Sequence, residues 1–280
     1  MATDQMPPPV TAQPPYPHAE PVVVGSHAAG LVLSIFRGGL AAMVAGVLVT
    51  GVGGRLIMRF SAATNPEQDG AITEAGNAVG RISAPGTIDL VVGNGLFVGL
   101  VMGFVWIAVR EWLPASAPAR LLAAATVATL TGGSGVIDSG NLDFRLLSPA
   151  WLHIMLFLAL VALGGAATAA FDSALKGHLP TGSKAVIVLS GLTGLAFIGG
   201  LPFVIGFYFG PGFAQVGTPP WAAGLALIVV AAATVGTWSG VLRHGSAIPT
   251  PRQRLFGRGG LVLFAALGGA HLATQVSGTL

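Results

Sequence analysis

The sequence has no cysteine and few charged residues. Without a thiol, the chain forms no disulfide bond, no thiolate zinc site and no cysteine-held iron–sulfur cluster, and it has no thiolate nucleophile. Only 13 Lys or Arg and 10 Asp or Glu residues occur among 280 positions, while 53% of the residues are hydrophobic. A soluble domain of this size cannot cover its surface with so few charges. The composition therefore indicates that the chain folds in a lipid bilayer.

The sequence also lacks the patterns of several functional classes. Its basic residues are dispersed between apolar runs, which argues against nucleic-acid binding. It has no Walker A motif, dinucleotide-type glycine fingerprint, nucleophile elbow or metalloprotease helix motif. The stretch GGSGV at residues 132–136 is one glycine short of an elbow and is typical of a turn at a helix end. These absences give no reason to predict a cofactor.

What the sequence does contain at its start is a proline-rich segment. Residues 1–27 include seven prolines and no Lys or Arg, so they lack the basic start and apolar centre of a signal peptide. We interpret residues 1–27 as a disordered cytoplasmic tail and residues 28–280 as a transmembrane helical domain. The tail favours polyproline II helix, which suits docking on an aromatic groove, although a tether without a partner is the commoner role.

Seven apolar stretches predict an all-α, polytopic transmembrane helical bundle. A bilayer core needs about 20 apolar residues per helix, with roughly 17 to 25 tolerated. The stretches are residues 31–54, 90–109, 121–137, 150–171, 185–209, 221–242 and 259–275. The third is short and ends in Gly and Ser, so it either crosses fully or is re-entrant. Pro202 falls inside the fifth and is expected to kink it.

The loops between seven spans alternate between two sides, and the basic residues are divided unequally between these sides. One side holds nine Lys or Arg residues and the other holds four, which are Arg55, Arg59, Arg81 and Arg145. The positive-inside rule then places the N-terminus in the cytoplasm and the C-terminus outside. Arg37 lies within the first apolar run near its cytoplasmic end, and we expect its side chain to snorkel to the interface.

Two of the spans carry small residues at four-residue spacing. Such residues let helix backbones approach closely where lipid supplies little hydrophobic driving force between helices. The residues on the first span are Gly38, Ala42, Gly46, Thr50 and Gly54, and those on the second are Gly95, Gly99 and Gly103. We expect each small-residue face to pack against a neighbouring helix, which belongs either to this chain or to a partner.

Polar residues gather in two of the predicted outer loops. The loop at residues 60–89 contains Glu74, Arg81 and Asp89, and the segment VIDSGNLDFRLLSPAW at residues 136–151 contains Asp138, Asn141, Asp143 and Arg145. We expect Asp143 and Arg145 to pair with each other or with residues of the first loop, as interfacial charges. Such pairs would join the two loops into an outer polar cap.

Two histidines raise the possibility of a metal site at the outer face. His271 lies about 20 Å beyond Arg258 along its helix, which brings it to a depth similar to that of His153. With Asp138 or Asp143 they would form a first-row metal site or a proton-handling site. In the simpler interpretation, each histidine donates a hydrogen bond to a backbone carbonyl and the acidic residues shape the turn. The simpler interpretation is favoured because no pair has metal-ligand spacing along one helix.

Three segments carry a resemblance to other proteins. GGRLIMRF, TEAGNAVGRIS and GNLDFRLLSPAW, within residues 50–155, resemble segments of uncharacterised multi-pass membrane proteins from high-GC bacteria. The resemblance implies a location in the bacterial inner membrane. It implies no activity or ligand.

Three functional classes are compatible with the sequence. The small-residue faces, the tail and the polar cap favour a non-catalytic subunit or scaffold whose partners are the lipid bilayer and either other membrane subunits or a second copy of the chain. A transporter or channel for a neutral or apolar small solute is the first alternative, because the centres of the spans hold essentially no charge and the stretch GGLPFVIGFYFG offers a broken helix. A membrane-embedded enzyme or sensor with an outer metal site is the second alternative.

Overall fold

The chain is an all-α bundle. The computed structural model describes residues 24–73, 78–81, 83–141, 143–210, 220–245 and 248–280. Within these residues the extended structure consists of one isolated antiparallel bridge, Ile72 to Ala78. The α-helices are α1 (Val24–Ala45), α2 (Val52–Thr64), α3 (Ala84–Ile88), α4 (Gly95–Val109), α5 (Ala117–Gly132), α6 (Asp143–Leu146), α7 (Ala150–Ala174), α8 (Ser183–Phe209), α9 (Trp221–His244) and α10 (Pro251–Thr279). The predicted fold class is confirmed.

Two π-helical segments join shorter helices into long ones. Gly46–Gly51 connects α1 to α2, and Asp89–Asn94 connects α3 to α4. The two segments lie against each other, since a Cβ added at Gly51 would be 2.9 Å from the Cα of Val91. A π-helical turn interrupts the regular α-helical hydrogen bonds and is frequently found at functional sites.

Six helices of the described residues are long and apolar enough to cross a membrane, so the protein is an integral membrane protein. They are His27–Thr64, Ala84–Val109, Ala150–Ala174, Ser183–Phe209, Trp221–Arg243 and Pro251–Thr279.

Helix α5 is shorter than these six helices and is not among them. It has 16 residues, and a 3-10 turn at Gly133–Gly135 follows it directly. It runs antiparallel to α7, because Gly165 lies beside Ala124 whereas Gly133 lies beside Leu158. Helix and turn together measure about 30 Å, which matches the hydrocarbon core. The third stretch therefore runs along the bundle beside α7, and its full crossing of the bilayer stays a prediction.

The bundle has two ends, and each contains a buried polar residue, Arg110 at one end and Asn65 at the other. The Arg110 end holds the C-terminus of α4 and Asp172 of α7, and the Asn65 end holds the C-terminus of α2 and the loop at residues 138–149. The six spanning helices and α5 run between these two ends in alternation. This alternation agrees with the division of basic residues along the sequence.

The small-residue faces of the first two spans pack against each other. A Cβ added at Gly99 would lie 2.7 Å from Met43 Cα and 3.0 Å from the carbonyl oxygen of Ala42, and one at Gly95 would lie 2.9 Å from Val47 Cα. A Cβ at Gly38 would lie 2.6 Å from the Arg110 guanidinium. The neighbour that the spacing required is thus in the same chain.

Helix α8 lies at the edge of the bundle. Only 11% of an apolar 18-residue stretch of this helix is buried inside the bundle, against 28–39% for the corresponding stretches of the other spanning helices. It packs on α4 through two edge-to-face ring pairs, Phe97 with Phe203 and Phe104 with Phe197. Pro202 lies within this helix, which continues to Phe209.

Two predicted boundaries differ from the structure. Helix α1 begins at Val24, inside the predicted tail, and residues 1–23 of that tail lie outside the described residues. The loop predicted at residues 60–89 is shorter, because α2 continues to Thr64 and α3 begins at Ala84. The helices extend through polar residues beyond the apolar stretches. A hydropathy pattern marks only the apolar stretches, so it does not show where these helices end.

Candidate functional site

A cavity of about 400 Å3 lies inside the bundle. Its wall is built by helices α4, α5 and α7, by the end of α8 and by side chains of α10, together with Thr50 from the first π-helical segment. Pockets that hold small molecules have volumes of about 300 to 1,000 Å3. The cavity is therefore large enough to bind a small molecule.

One face of α4 supplies much of the apolar wall. The wall residues of this helix are Phe97, Val98, Val101, Met102, Val105, Trp106 and Val109. They recur at helical spacing and form a stripe beside the glycine face that packs on α1. Facing them are Val127 and Ala128 of α5 and Val161 of α7.

Polar side chains surround the cavity at the Asn65 end of the bundle. They are Ser134, Asp138, Asn141, Asp143, His271 and Gln275. Asp138 Oδ1 accepts a hydrogen bond from the Gly140 backbone N–H at 2.9 Å and its carboxylate interacts electrostatically with His271. Gln275 Oε1 accepts from both the backbone N–H and the hydroxyl of Ser139, each at 3.0 Å. These contacts tie the 138–149 loop to α10.

Two wall residues carry buried polar atoms without a hydrogen-bond partner among the described residues. They are the indole N–H of Trp106 and the hydroxyl of Thr50. Trp106 is only 4% exposed. Buried polar groups normally have a partner, either in the protein or in a bound water or ligand.

Beyond the cavity, at the Arg110 end, lies a buried cluster of charged residues that sequence reasoning missed. Arg37 Nε donates to Asp172 Oδ1 at 2.7 Å, and Arg110 Nη1 lies 3.6 Å from the same oxygen. The side chains of Arg110 and Asp172 are each 4% exposed. Arg110 also donates to the carbonyl and the hydroxyl of Ser34, at 2.7 and 2.8 Å. The cluster joins α1, α4 and α7, and Arg37 does not simply snorkel as expected.

Burial lowers the pKa of the Arg110 guanidinium, and the carboxylates of Asp172 and Glu111 oppose this shift. An arginine remains charged in proteins, so Arg110 is a buried cation that needs the Asp172 anion. The charge signs and the alternation of spans together already place Arg37, Arg110 and Asp172 at one end. That combination is the sequence signal that could have predicted their pairing.

The predicted metal candidates are only partly brought together. Asp138, Asp143 and His271 line the rim of the cavity, whereas His153 does not line it. His153 is fully buried, and its Nδ1 lies 3.1 Å from the Pro149 carbonyl oxygen, as the simpler interpretation expected. Among the described residues, no group of three or more His, Asp or Glu side chains is placed to hold a metal ion.

The two loops at the Asn65 end are joined by an amide contact. Asn65 is fully buried, and its Oδ1 accepts a hydrogen bond from the Ser148 backbone N–H at 2.7 Å. Arg81, Asp89 and Arg145 are exposed, and Glu74 lies outside the described residues. At the other end of the bundle, Arg37, Arg110, Glu111 and Asp172 form ion pairs.

Comparisons with family models, curated proteins and solved structures found no match to the chain.

Proposed function

We propose that the protein binds a small, largely apolar molecule in its intramembrane cavity. The observation that carries the proposal is the cavity itself, which combines an apolar wall with a polar rim at one end. An apolar interior with a few convergent polar groups is the usual form of a small-molecule site. The unpartnered Trp106 and Thr50 atoms support the proposal, because a bound molecule or its associated water can satisfy them.

The proposed orientation places the Arg110 end in the cytoplasm and the rim outside. It rests on the nine-to-four division of basic residues. The proposed location in the bacterial inner membrane rests on the sequence resemblance. In this orientation the molecule enters from the outer side.

Transport of the bound molecule is a second proposed function. The observation that favours it is the buried cluster of Arg37, Arg110 and Asp172, which ties three helices together at the opposite end from the rim. Opening the cavity to the cytoplasm would require these contacts to separate. The scaffold role stays a prediction. Contact with lipid alone accounts for the exposed apolar surface of the bundle, so this surface does not indicate a protein partner.

Cysteine accessibility tests the proposed function directly, since the chain has no native cysteine. Met102→Cys places a thiol on the cavity wall, and Leu163→Cys places one at a position that is 60% exposed on the outside of the bundle. A small charged methanethiosulfonate added from outside should modify the thiol of the Met102→Cys variant. It should leave the thiol of the Leu163→Cys variant, which faces lipid, unmodified. A lack of reaction in both variants would show that the cavity is not open to the outer side, and the proposal would be wrong.

A further inference from the structure

The shape of the cavity restricts the molecule that it can hold. Its wall follows α4 from Phe97 to Val109, which corresponds to about 18 Å along the helix. It follows α5 and the 3-10 turn after it from Ala124 to Gly135, a distance of about 18 Å. A volume of about 400 Å3 spread over this length corresponds to an elongated space parallel to the bundle axis. A long, thin molecule fits this shape, whereas a bulky ring system of equal volume does not.

The chemistry of the wall changes along this length. The part built by Val101, Val105, Val127 and Val161 is hydrocarbon, and Met102 adds a flexible apolar side chain. The Trp106 N–H and the Thr50 hydroxyl are isolated polar groups in this otherwise apolar wall. The hydrogen-bonding groups of the loop and of α10 are confined to the rim. The preferred occupant is therefore an amphiphile, with an apolar chain inside and a polar head at the rim.

The charge at the rim selects the head. Asp138 supplies a carboxylate there, and no Lys or Arg is among the described residues that line the cavity. Asn141, His271 and Gln275 add polar groups that carry no formal charge when His271 is neutral. A cationic head is attracted to this rim, and a carboxylate or sulfate head is repelled by it.

We propose that the cavity takes a single-chain amphiphile with a cationic head group, such as an ammonium. The chain lies along α4 towards Trp106, and the head lies at the rim beside the Asp138 carboxylate. This inference rests on the proposed function, because it names the class of molecule that the same cavity binds.

Tryptophan quenching by brominated amphiphiles tests the inference in the full-length protein in lipid nanodiscs. The main probe is dodecyltrimethylammonium with bromine on the terminal chain carbon, so that insertion brings the bromine towards Trp106. We expect saturable quenching, of which a component disappears in Trp106→Phe. Probe that merely dissolves in the bilayer quenches in proportion to its concentration and does not saturate.

Probes with the same brominated chain and different heads separate the charge claim from the shape claim. The cationic probe should half-saturate at a concentration at least about tenfold lower than 12-bromododecanoate, as expected for attraction by a partly buried carboxylate. Asp138→Asn should reduce this preference severalfold, while Asp89→Asn, an exposed carboxylate away from the cavity, should leave it unchanged. Thermal unfolding of each variant confirms that it is folded.

Each contrary result has a distinct meaning. Equal binding of cationic and anionic probes would overturn the cationic head while leaving the cavity as a binding site. Displacement of the chain by tetraphenylphosphonium at equal concentration would overturn the single-chain shape. Met102→Trp fills the cavity. If no probe gives saturable quenching, and this variant keeps the same bound small molecules as the wild-type protein, both this inference and the proposed function are wrong.

Discussion

Asp172 is a buried residue whose replacement should strongly destabilise the protein. Its carboxylate is the partner of Arg37 and the nearest anion that is buried with Arg110. Removing one member of a buried ion pair costs about 3 to 5 kcal/mol, because the remaining charge is left without a partner. We expect Asp172→Asn to lower the free energy of unfolding by about this amount in a denaturant titration.

The control for Asp172→Asn is Glu67→Gln, which removes an exposed carboxylate and should change stability by about 0.5 kcal/mol or less. A double-mutant cycle with Arg37→Gln should show that the two losses are not additive. Additive effects would mean that the Arg37 contact does not contribute to stability.

His153 tests the simpler interpretation of the histidines against the metal alternative. Its ring is fully buried and its Nδ1 contacts the Pro149 carbonyl oxygen. We expect His153→Ala to cost about 1 to 3 kcal/mol, as the loss of a buried hydrogen bond does. Metal analysis of the purified protein checks the alternative, since near-stoichiometric zinc, iron or copper that is lost in both His153→Ala and His271→Ala would contradict our interpretation.

At the scale of the helices, α4 has two faces with different roles. Gly95, Gly99 and Gly103 form the face that packs on α1, and the valine-rich stripe beside it lines the cavity. Close packing on one face fixes the position of the other. The glycine face could be predicted from spacing, but the role of the second face could not, because it depends on which helices stand opposite it.

We expect Gly99→Leu to destabilise the protein or prevent its assembly. Overpacking typically costs about 1 to 3 kcal/mol, and here the added side chain would meet backbone atoms of Met43 and Ala42, which cannot rotate away. Gly191→Leu on α8 is the matched control, since a Cβ added at Gly191 has nothing within 4 Å. Similar melting temperatures of the two variants would show that the glycine face is not a contact surface.

At the scale of the whole molecule, the crossings could be predicted from the sequence because an apolar length of about 20 residues is a local property. The cavity and the charged cluster could not, since both depend on the lateral order of the helices. His271 reaches Asp138 because α10 packs beside α5, while His153 lies on α7 and does not line the cavity. The depth of each histidine along its helix could be predicted from the sequence, but the neighbouring helices that it faces could not.

The proposed orientation predicts a labelling pattern in intact cells. Ser148→Cys and Thr181→Cys each place a thiol at an exposed loop position, at opposite ends of the bundle. A membrane-impermeant maleimide should label the first variant and not the second, because the positive-inside rule places position 181 in the cytoplasm. Labelling of the second variant alone would reverse the orientation and move the rim of the cavity to the cytoplasmic side.

The claim that the cavity is a binding site is tested most directly by native mass spectrometry of the protein released from lipid nanodiscs. Met102→Trp fills the cavity, and Leu163→Trp adds the same bulk at an exposed position on α7. We predict that a small amphipathic molecule remains bound to the wild-type protein and to Leu163→Trp and is lost from Met102→Trp. The same set of bound small molecules in all three proteins would contradict the claim.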